Sequence, residues 1–426
     1  MKFNKWTLGL AAVGLVSLTS VARADEKPSA VQTALSNTTI SGYVSASANV
    51  ALTDNYANSP AAGIPFQPVS KENGFNLDVV KLSISKPEDE GPWASGYKVD
   101  LLFGPDAVGY NTSVNTTSTA DYAIKQAYVN LRTPVGNGID WQFGVFDSPL
   151  GYEVFDSTSN PNYTRSYGYS IEPTELTGFS ATYKINDTLS VVGGAADTSV
   201  AGINNRNSDV SLVQSSWHLA YFGDVTYTAP SSFGWAAGST VSVGVLYGGT
   251  DTINNGYTRG DLGGNQVNYY GGLTLNTPWT KLTGGLAFDY AQNYEGGYAS
   301  EGPYGPSSAN PIPGATYRYD EMAIGLYGTY KATDKLSFSG RGEYVEADAY
   351  SGGNYNSSLN LVELTGTVEY DLWANVTSRL ELRWDQNLQG SSAALGLLPN
   401  SSYTIPTNYT TQRDSVGLYA SVVYKF

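Results

Sequence analysis

The chain carries few of the side chains that covalent catalysis uses. His218 is the only histidine among 426 residues, and no cysteine is present. A hydrolytic triad would need a serine and a carboxylate held beside that histidine, and the sequence singles out neither. A lone histidine in a strand is more often a polar wall residue. The sequence therefore predicts a protein that is not an enzyme.

Charged residues gather instead in the segment 148–176. The acidic residues of this segment are Glu153, Asp156, Glu172 and Glu175, and its one arginine is Arg165. Asp147 comes directly before it. Four arginines on other segments could face them: Arg132, Arg341, Arg379 and Arg383. Opposed charges across a narrow wet passage would set a transverse field that selects solutes by charge and size. Alternatively, these groups are solvated or form local salt bridges that hold the segment.

Strands with strict alternation must position these charges, and the clearest one ends the chain. One face of residues 415–426 carries Val416, Leu418, Ala420, Val422, Tyr424 and Phe426. The other face carries Ser415, Gly417, Tyr419, Ser421, Val423 and Lys425. A membrane-spanning strand needs roughly 9–11 residues with an apolar outer face and a polar inner face. A half-buried strand of a soluble sandwich has the same period, so this segment alone leaves both open.

The segment 374–386 also alternates, and one of its faces is charged. Four charged residues, Arg379, Glu381, Arg383 and Asp385, share that face of the strand. Such a row is too costly for a dry protein core. We therefore expect these side chains to line a wet lumen.

Sixteen segments have this strand pattern. The connections between them alternate between short and long. The segments are 38–53, 76–86, 96–104, 122–132, 139–147, 177–186, 189–197, 216–228, 239–250, 266–276, 279–291, 316–331, 335–346, 358–372, 374–386 and 413–426. Short turns rich in Pro, Gly, Asn and Asp alternate with long connections such as 148–176 and 347–357. This layout predicts an all-β fold, a transmembrane antiparallel up-and-down β-barrel with short periplasmic turns and long extracellular loops. Fourteen or eighteen strands would also fit the pattern.

The beginning of the chain predicts export. Lys2 and Lys5 precede a short apolar run and then Ala22-Arg23-Ala24, which is the pattern of a Sec signal peptide. We expect a signal peptide at 1–24, a short segment at 25–37 and the barrel domain at 38–426. Cleavage would leave 20 basic against 38 acidic residues, a formal charge of −18. The predicted location is the outer membrane of a Gram-negative bacterium, with the barrel in contact with outer-membrane lipid.

The predicted barrel is wide enough to conduct. Sixteen strands leave an aqueous channel, so the sequence predicts passive diffusion of small hydrophilic solutes or ions, with 148–176 as the constriction loop. The acidic balance favours a modest preference for cations and disfavours nucleic acid as a partner. No calcium-binding motif is visible, and we expect neither a cofactor nor a metal site.

Several short stretches between 122 and 185 carry a family pattern. They are Gln126-Ala-Tyr-Val-Asn-Leu131, Pro134-Val-Gly-Asn-Gly138, Gly144-Val-Phe146, Pro149-Leu-Gly-Tyr-Glu153 and Asn160-Pro-Asn-Tyr-Thr-Arg-Ser-Tyr167. This region resembles the OmpL-like β-barrel porins, which implies an outer-membrane channel and passive transport. The chain departs from the family pattern at Leu176, where a histidine is expected before Thr177-Gly178, so the role of that histidine does not carry over.

Resemblance to outer-membrane proteins implies three further properties. The third long loop of general porins folds into the lumen, homotrimers are common among sixteen-stranded porins, and a terminal aromatic strand is read by the barrel assembly machinery. Here that assembly signal would be Tyr424 and Phe426. We expect deletion of Phe426 to reduce the amount of assembled barrel in membranes more than it lowers the heat stability of barrels already folded.

Two other classes of protein remain open from the sequence. A secreted or surface adhesin or carbohydrate-binding β-protein would suit the tyrosine-rich connections and runs such as Asn115-Thr-Thr117. An outer-membrane hydrolase would depend on His218, and loss of hydrolysis in His218→Ala would reveal it. Neither class predicts stepwise ion conductance in a lipid bilayer.

Overall fold

Sixteen strands form one closed antiparallel barrel. The computed structural model describes residues 37–53, 66, 71, 73–89, 91–107, 122–199, 203, 219–249, 265–295, 317–351, 354–388 and 414–426. The strands are β1 Thr39–Ala51, β2 Gly74–Lys86, β3 Ser95–Phe103, β4 Tyr122–Thr133, β5 Ile139–Asp147, β6 Glu175–Lys184, β7 Leu189–Ala196, β8 Ala220–Thr228, β9 Thr240–Gly249, β10 Asn265–Asn276, β11 Leu282–Glu295, β12 Tyr317–Lys331, β13 Leu336–Ser351, β14 Asn354–Trp373, β15 Val376–Asn387 and β16 Asp414–Lys425. Each strand pairs with its neighbours in sequence. The predicted up-and-down barrel is confirmed.

The outer surface of the barrel is apolar and its interior is polar. On β15, Leu380 and Leu382 are 52% and 50% exposed, whereas Glu381 and Arg383 are fully buried inside. The other strands alternate in the same sense, with exposed Val, Leu and Tyr outside and buried polar groups within. A closed barrel satisfies every backbone group between strands, and lipid covers such an apolar outer face.

The last strand closes the barrel by pairing with the first. Tyr43 lies opposite Lys425, and Val44 lies opposite Tyr424. Beyond β16, the Gly42 and Phe426 N–H groups each donate a hydrogen bond to the other residue's carbonyl (3.0 Å each). A closed up-and-down barrel requires this pairing of its last strand with its first.

One predicted connection is wrong. Residues 347–357 were expected to form a long loop, but β13 and β14 continue through most of them and leave only 352–353 between the strands. The two strands pair there with a register shift at Ala349/Tyr350. In this part of the sequence, Ala347-Asp-Ala-Tyr-Ser-Gly-Gly-Asn-Tyr-Asn-Ser357, no regular alternation of apolar and polar residues remains. A strand that continues beyond the lipid loses the alternation by which it is recognised.

Tryptophans mark the end of the barrel where the short turns lie, called the turn side below. Trp93, Trp279 and Trp373 are each more than two-thirds exposed, and Trp235 is 55% exposed. All four lie in or beside connections between consecutive strands at this end. Indole rings favour the boundary between lipid and water, so these rings mark one edge of the membrane-embedded band.

Helix is scarce in the described residues. Helix α1 spans Gly168–Ile171, in the connection between β5 and β6. No helix in this part of the chain is long and apolar enough to cross a membrane.

Candidate functional site

The connection between β5 and β6 folds into the barrel. Residues 148–174, called the inner loop below, begin and end side by side, since the Ser148 N–H donates a hydrogen bond to the Thr174 carbonyl (3.2 Å). Residues 162–173 are all buried. The segment predicted as the constriction loop therefore lies within the lumen.

Apolar contacts hold one face of the inner loop against the wall. Tyr167 and Ile171, which bracket α1, are fully buried in a cluster with inward side chains of β11 to β14: Ala291, Ala323, Val345, Ala347, Leu359 and Leu361. A second cluster joins Phe155 and Tyr169 to Tyr43 on β1 and Val423 on β16. Because these inward positions are apolar where most others are polar, they form a dry patch that the loop covers.

The alternating charges of β15 match the polar groups of the loop in order. The Arg379 guanidinium donates to the Ser157 carbonyl (2.7 Å), and the Arg383 guanidinium donates to the Arg165 carbonyl (2.6 Å). Between them, the Glu381 carboxylate accepts from the Tyr163 and Thr164 N–H groups (2.6 and 2.9 Å). An irregular backbone inside a barrel needs partners for its N–H and C=O groups. The row of charges on β15 supplies them.

Strand β13 supplies the other principal anchors. Arg341 is buried and donates to the Glu153 carboxylate and to the Thr164 carbonyl (2.8 Å each), while its Nε donates to Glu363 on β14 (3.1 Å). Glu343, two residues on, accepts from the Tyr167 and Gly168 N–H groups (2.7 Å each). Arg341 thus ties the inner loop to two adjacent strands.

Two of the three predicted acidic residues of the inner loop have cationic partners. Glu153 pairs with Arg341 (2.8 Å), and Asp156 pairs with Lys81 on β2 (2.7 Å). Burial alone would raise the pKa of Asp156, but the nearby Lys81 and Lys125 ammonium groups lower it below its usual range. Arg165 turns back on the loop and donates to the Val154, Phe155 and Tyr163 carbonyls. These contacts match the expected alternative of local salt bridges that hold the segment.

The remaining predicted residues lie at other places. Asp147 ends β5 and pairs with Lys125 on β4. Glu175 begins β6, and its buried carboxylate has no hydrogen-bond partner in the described structure. Arg132 lies near the turn side, where it contacts Asp140 (2.5 Å) and donates to the Asn137 carbonyl (2.9 Å). The structure thus brings Arg341, Arg379 and Arg383 to the inner loop and leaves Arg132 away from it.

Glu172 joins the inner loop to β11 through a carboxyl pair. It hydrogen-bonds to Asp289, and its Oε1 accepts from the Tyr152 N–H (2.9 Å). Burial and then the negative charge of Asp289 raise the pKa of Glu172 well above its ordinary value, with a smaller contribution from Glu153. Two carboxyl groups in this contact share a proton, because both cannot ionise side by side without repulsion.

This pair predicts that alkaline pH loosens the inner loop. The pKa of Glu172 is higher in the docked loop than in the free chain. The protonated side chain of Glu172 therefore stabilises the docked loop fully below about pH 4.5, and this stabilisation is lost as pH rises through the raised pKa. Single-channel current should become noisier at alkaline pH. Glu172→Gln, which keeps a donor toward Asp289, should remove this change, whereas Asp187→Asn on an exposed turn should keep it. Equal pH dependence in all three proteins would contradict the shared proton.

Sequence reasoning missed several partners of the loop. Glu343 and Glu381 were recognised only as polar wall residues, and Lys81, Lys125 and Asp289 were not singled out. The sequence marks each of these residues only as a charged residue at an inward strand position. Other residues of the lumen share that feature. Which of these charges meets the loop depends on how a connection folds across the barrel, and alternation carries no information on that.

An open cavity, called the passage below, remains between the inner loop and the opposite wall. The space holds about 340 Å³ and is bordered by loop residues, β4 and strands β8 to β12. The wall presents hydroxyl groups to it: Thr226, Thr240, Ser242, Thr274, Thr283 and Thr329. Rings of Tyr152, from the loop, and Tyr327, from β12, stack at its side with centroids 4.4 Å apart. Such a lining suits water and small polar solutes.

Carboxylates border the passage on both sides. Glu153 and Glu172 lie on the loop, and Asp224 lies on β8. Among the described residues, no group of three or more His, Cys, Asp or Glu side chains is placed to hold a metal ion.

Solved structures of outer-membrane proteins share this fold. OmpT of Vibrio cholerae, folded in vitro, is 12% identical with a TM-score of 0.54, over 94% of this chain and 100% of that one. Its trimer form is 11% identical with a TM-score of 0.53, over 91% and 99%. The anion-selective porin from Comamonas acidovorans is 10% identical with a TM-score of 0.53, over 91% and 99%. At these identities the likeness shows the fold. No curated protein matches the sequence.

The family assignment rests on a match that covers the whole barrel. A family model described as "Putative beta-barrel porin-2, OmpL-like" matches residues 37–426. The match extends the resemblance seen in residues 122–185 over all sixteen strands. The chain belongs to this OmpL-like family of beta-barrel porins and forms a porin channel.

Proposed function

We propose that small hydrophilic solutes and ions cross the outer membrane by passive diffusion through the passage beside the inner loop. The observation that carries this proposal is the one-sided docking of the loop. It is fastened to β13 and β15 by buried arginines and leaves about 340 Å³ open on the side of β8 to β12. The inner loop then sets the width of the channel, and the hydroxyl-lined wall keeps it wet.

No chemical step belongs to this proposal. The lining offers hydroxyls, tyrosines and carboxylates, which suit a polar path. His218 itself lies outside the described residues. A porin needs only a path and a selective lining, and we infer that this chain is not an enzyme.

The lining, and not the fold, must decide which ions pass. The porin from Comamonas acidovorans with this fold is anion-selective by its name. Here the formal charge of the whole chain is −15, and the carboxylates that border the passage outnumber its one lysine. We infer a preference for cations in this channel.

Export, assembly and association complete the proposal. The porin family places the protein in the outer membrane, and we propose that residues 1–24, which lie outside the described residues, direct its export. Tyr424 and Phe426, both nearly half exposed at the closing seam, would be read by the assembly machinery. A homotrimer is proposed because OmpT, which has the same fold, has a trimer form.

Reconstitution of the purified mature protein into planar bilayers tests this function. Stable stepwise conductance in KCl supports a porin. A water-soluble monomer that inserts no channel would instead favour the adhesin or carbohydrate-binding class. Hydrolysis of lipid or peptide that is lost in His218→Ala would favour the hydrolase.

A further inference from the structure

Asp224 stands apart from the other carboxylates that border the passage. It lies on β8 with an inward side chain, is 3% exposed and faces the passage. Resting on the proposed path, we propose that Asp224 is the residue that makes this channel prefer cations over anions. Permeating monovalent cations, such as K⁺ or a small primary ammonium ion, would be drawn to its carboxylate as they pass.

Two hydroxyl groups orient this carboxylate. Its Oδ1 accepts from the Thr226 hydroxyl (2.9 Å), and its Oδ2 accepts from the Ser242 hydroxyl on β9 (2.6 Å). The two hydroxyl oxygens are themselves 3.2 Å apart. Hydroxyls fix the direction of a carboxylate without supplying a countercharge, so a mobile cation can pair with Asp224. Their oxygens also offer further ligands to a cation.

The other carboxylates of the passage are already compensated. Asp147 pairs with Lys125, and Glu153 pairs with Arg341. Burial and then the neighbouring Asp289 carboxyl raise the pKa of Glu172 well above its ordinary value, which favours its neutral form. In the described part of the chain, no lysine or arginine forms an ion pair with Asp224. A buried charge without a countercharge is costly, and a passing cation lowers that cost.

Asp224 also lies where the passage is bounded by the loop. A Cβ atom placed on Gly244 of β9 would lie 2.9 Å from Leu150 Cγ, on the loop, and 3.1 Å from Asp224 Oδ2. The carboxylate therefore lies close to the start of the inner loop, where the loop narrows the lumen. Electrostatic attraction is stronger there than in a wide aqueous lumen.

Reversal potentials across planar bilayers in a KCl gradient test the proposal. The wild-type channel should prefer K⁺ over Cl⁻, and Asp224→Asn should lower the permeability ratio several-fold, toward no preference, with the single-channel conductance largely kept. Asp187→Asn removes the same charge from an exposed turn and should leave the ratio unchanged. Ser242→Ala keeps the carboxylate and should keep most of the preference.

The outcomes separate this proposal from the proposed function. Failure of the wild-type protein to conduct would overturn the channel itself. A conducting Asp224→Asn channel with the wild-type ratio would overturn only the role of Asp224. If Asp224→Asn does not assemble, Asp224→Ser removes the charge with a smaller side chain. The wild-type preference must in any case weaken as KCl is raised, because salt screens the attraction, and a preference independent of salt would also overturn the proposal.

Discussion

Arg341→Ala should release the inner loop and destabilise the folded barrel by about 3–5 kcal/mol, the usual cost of removing one partner from a buried ion pair. Arg341 is fully buried and bonded to Glu153, Thr164 and Glu363 at once. Without its guanidinium, Glu153 loses its ion-pair partner, and Glu363 keeps only Arg383, which lies 3.9 Å away. Single-channel records should show frequent steps between current levels, and the unfolding temperature in detergent should fall.

The control for this variant is an arginine on β4 that lies near the turn side, away from the inner loop. Arg132→Ala removes a partner of Asp140 near the turn side and should leave the current steady. Arg341→Lys keeps the charge but loses the forked geometry, so it should lie between the wild type and Arg341→Ala. A steady current and unchanged unfolding temperature in Arg341→Ala would show that the apolar clusters alone hold the loop.

Alternation predicted most of this barrel because lipid imposes it directly on each strand. Every one of the sixteen strands overlaps its predicted segment, and the seam between β1 and β16 follows from two strong patterns at the ends of the barrel. The prediction was wrong at 347–357, where the strands leave the membrane and no apolar face is required. The sequence pattern therefore indicates the environment of a strand more reliably than it indicates where the strand ends.

The site could be predicted only as a set of residues. The charges of 148–176 and of three wall arginines were recognised, but their pairing depends on long-range geometry. Glu153 meets an arginine 188 positions away along the chain. Asp224, by contrast, is an inward carboxylate with no unusual neighbours in sequence. Its importance comes from the absence of an ion-pair partner in the described structure, which only the folded arrangement can reveal.

The row of alternating charges on β15 explains why this wall can hold an irregular loop. A strand places side chains at a fixed two-residue repeat on its inner face. Guanidinium groups at Arg379 and Arg383 meet carbonyls, and the carboxylate of Glu381 meets N–H groups. The loop therefore gains from the wall the hydrogen bonds that a regular element would make within itself. The opposite wall carries hydroxyl groups along the passage, and the passage there stays open.

Shortening the inner loop should raise the single-channel conductance several-fold. Replacing residues 150–172 by a short Gly-Ser linker removes the side chains that fill one side of the lumen and leaves the strands intact. The linker can close because Ser148 and Thr174 already lie within hydrogen-bond distance of each other (3.2 Å). A sixteen-stranded barrel without an inward loop has a wide aqueous lumen, so larger neutral solutes should also enter it in liposome-swelling assays.

A deletion outside the lumen provides the matched control. Residues 231–236 lie in the β8–β9 turn, on the turn side, and none of them is buried. Their removal shortens a connection without touching the passage and should leave the conductance unchanged. An increase only in the variant with the shortened inner loop would show that this loop limits flow. Equal conductance in the wild type and in both variants would mean that the limiting section of the channel lies elsewhere, and the proposed path beside the loop would then be wrong.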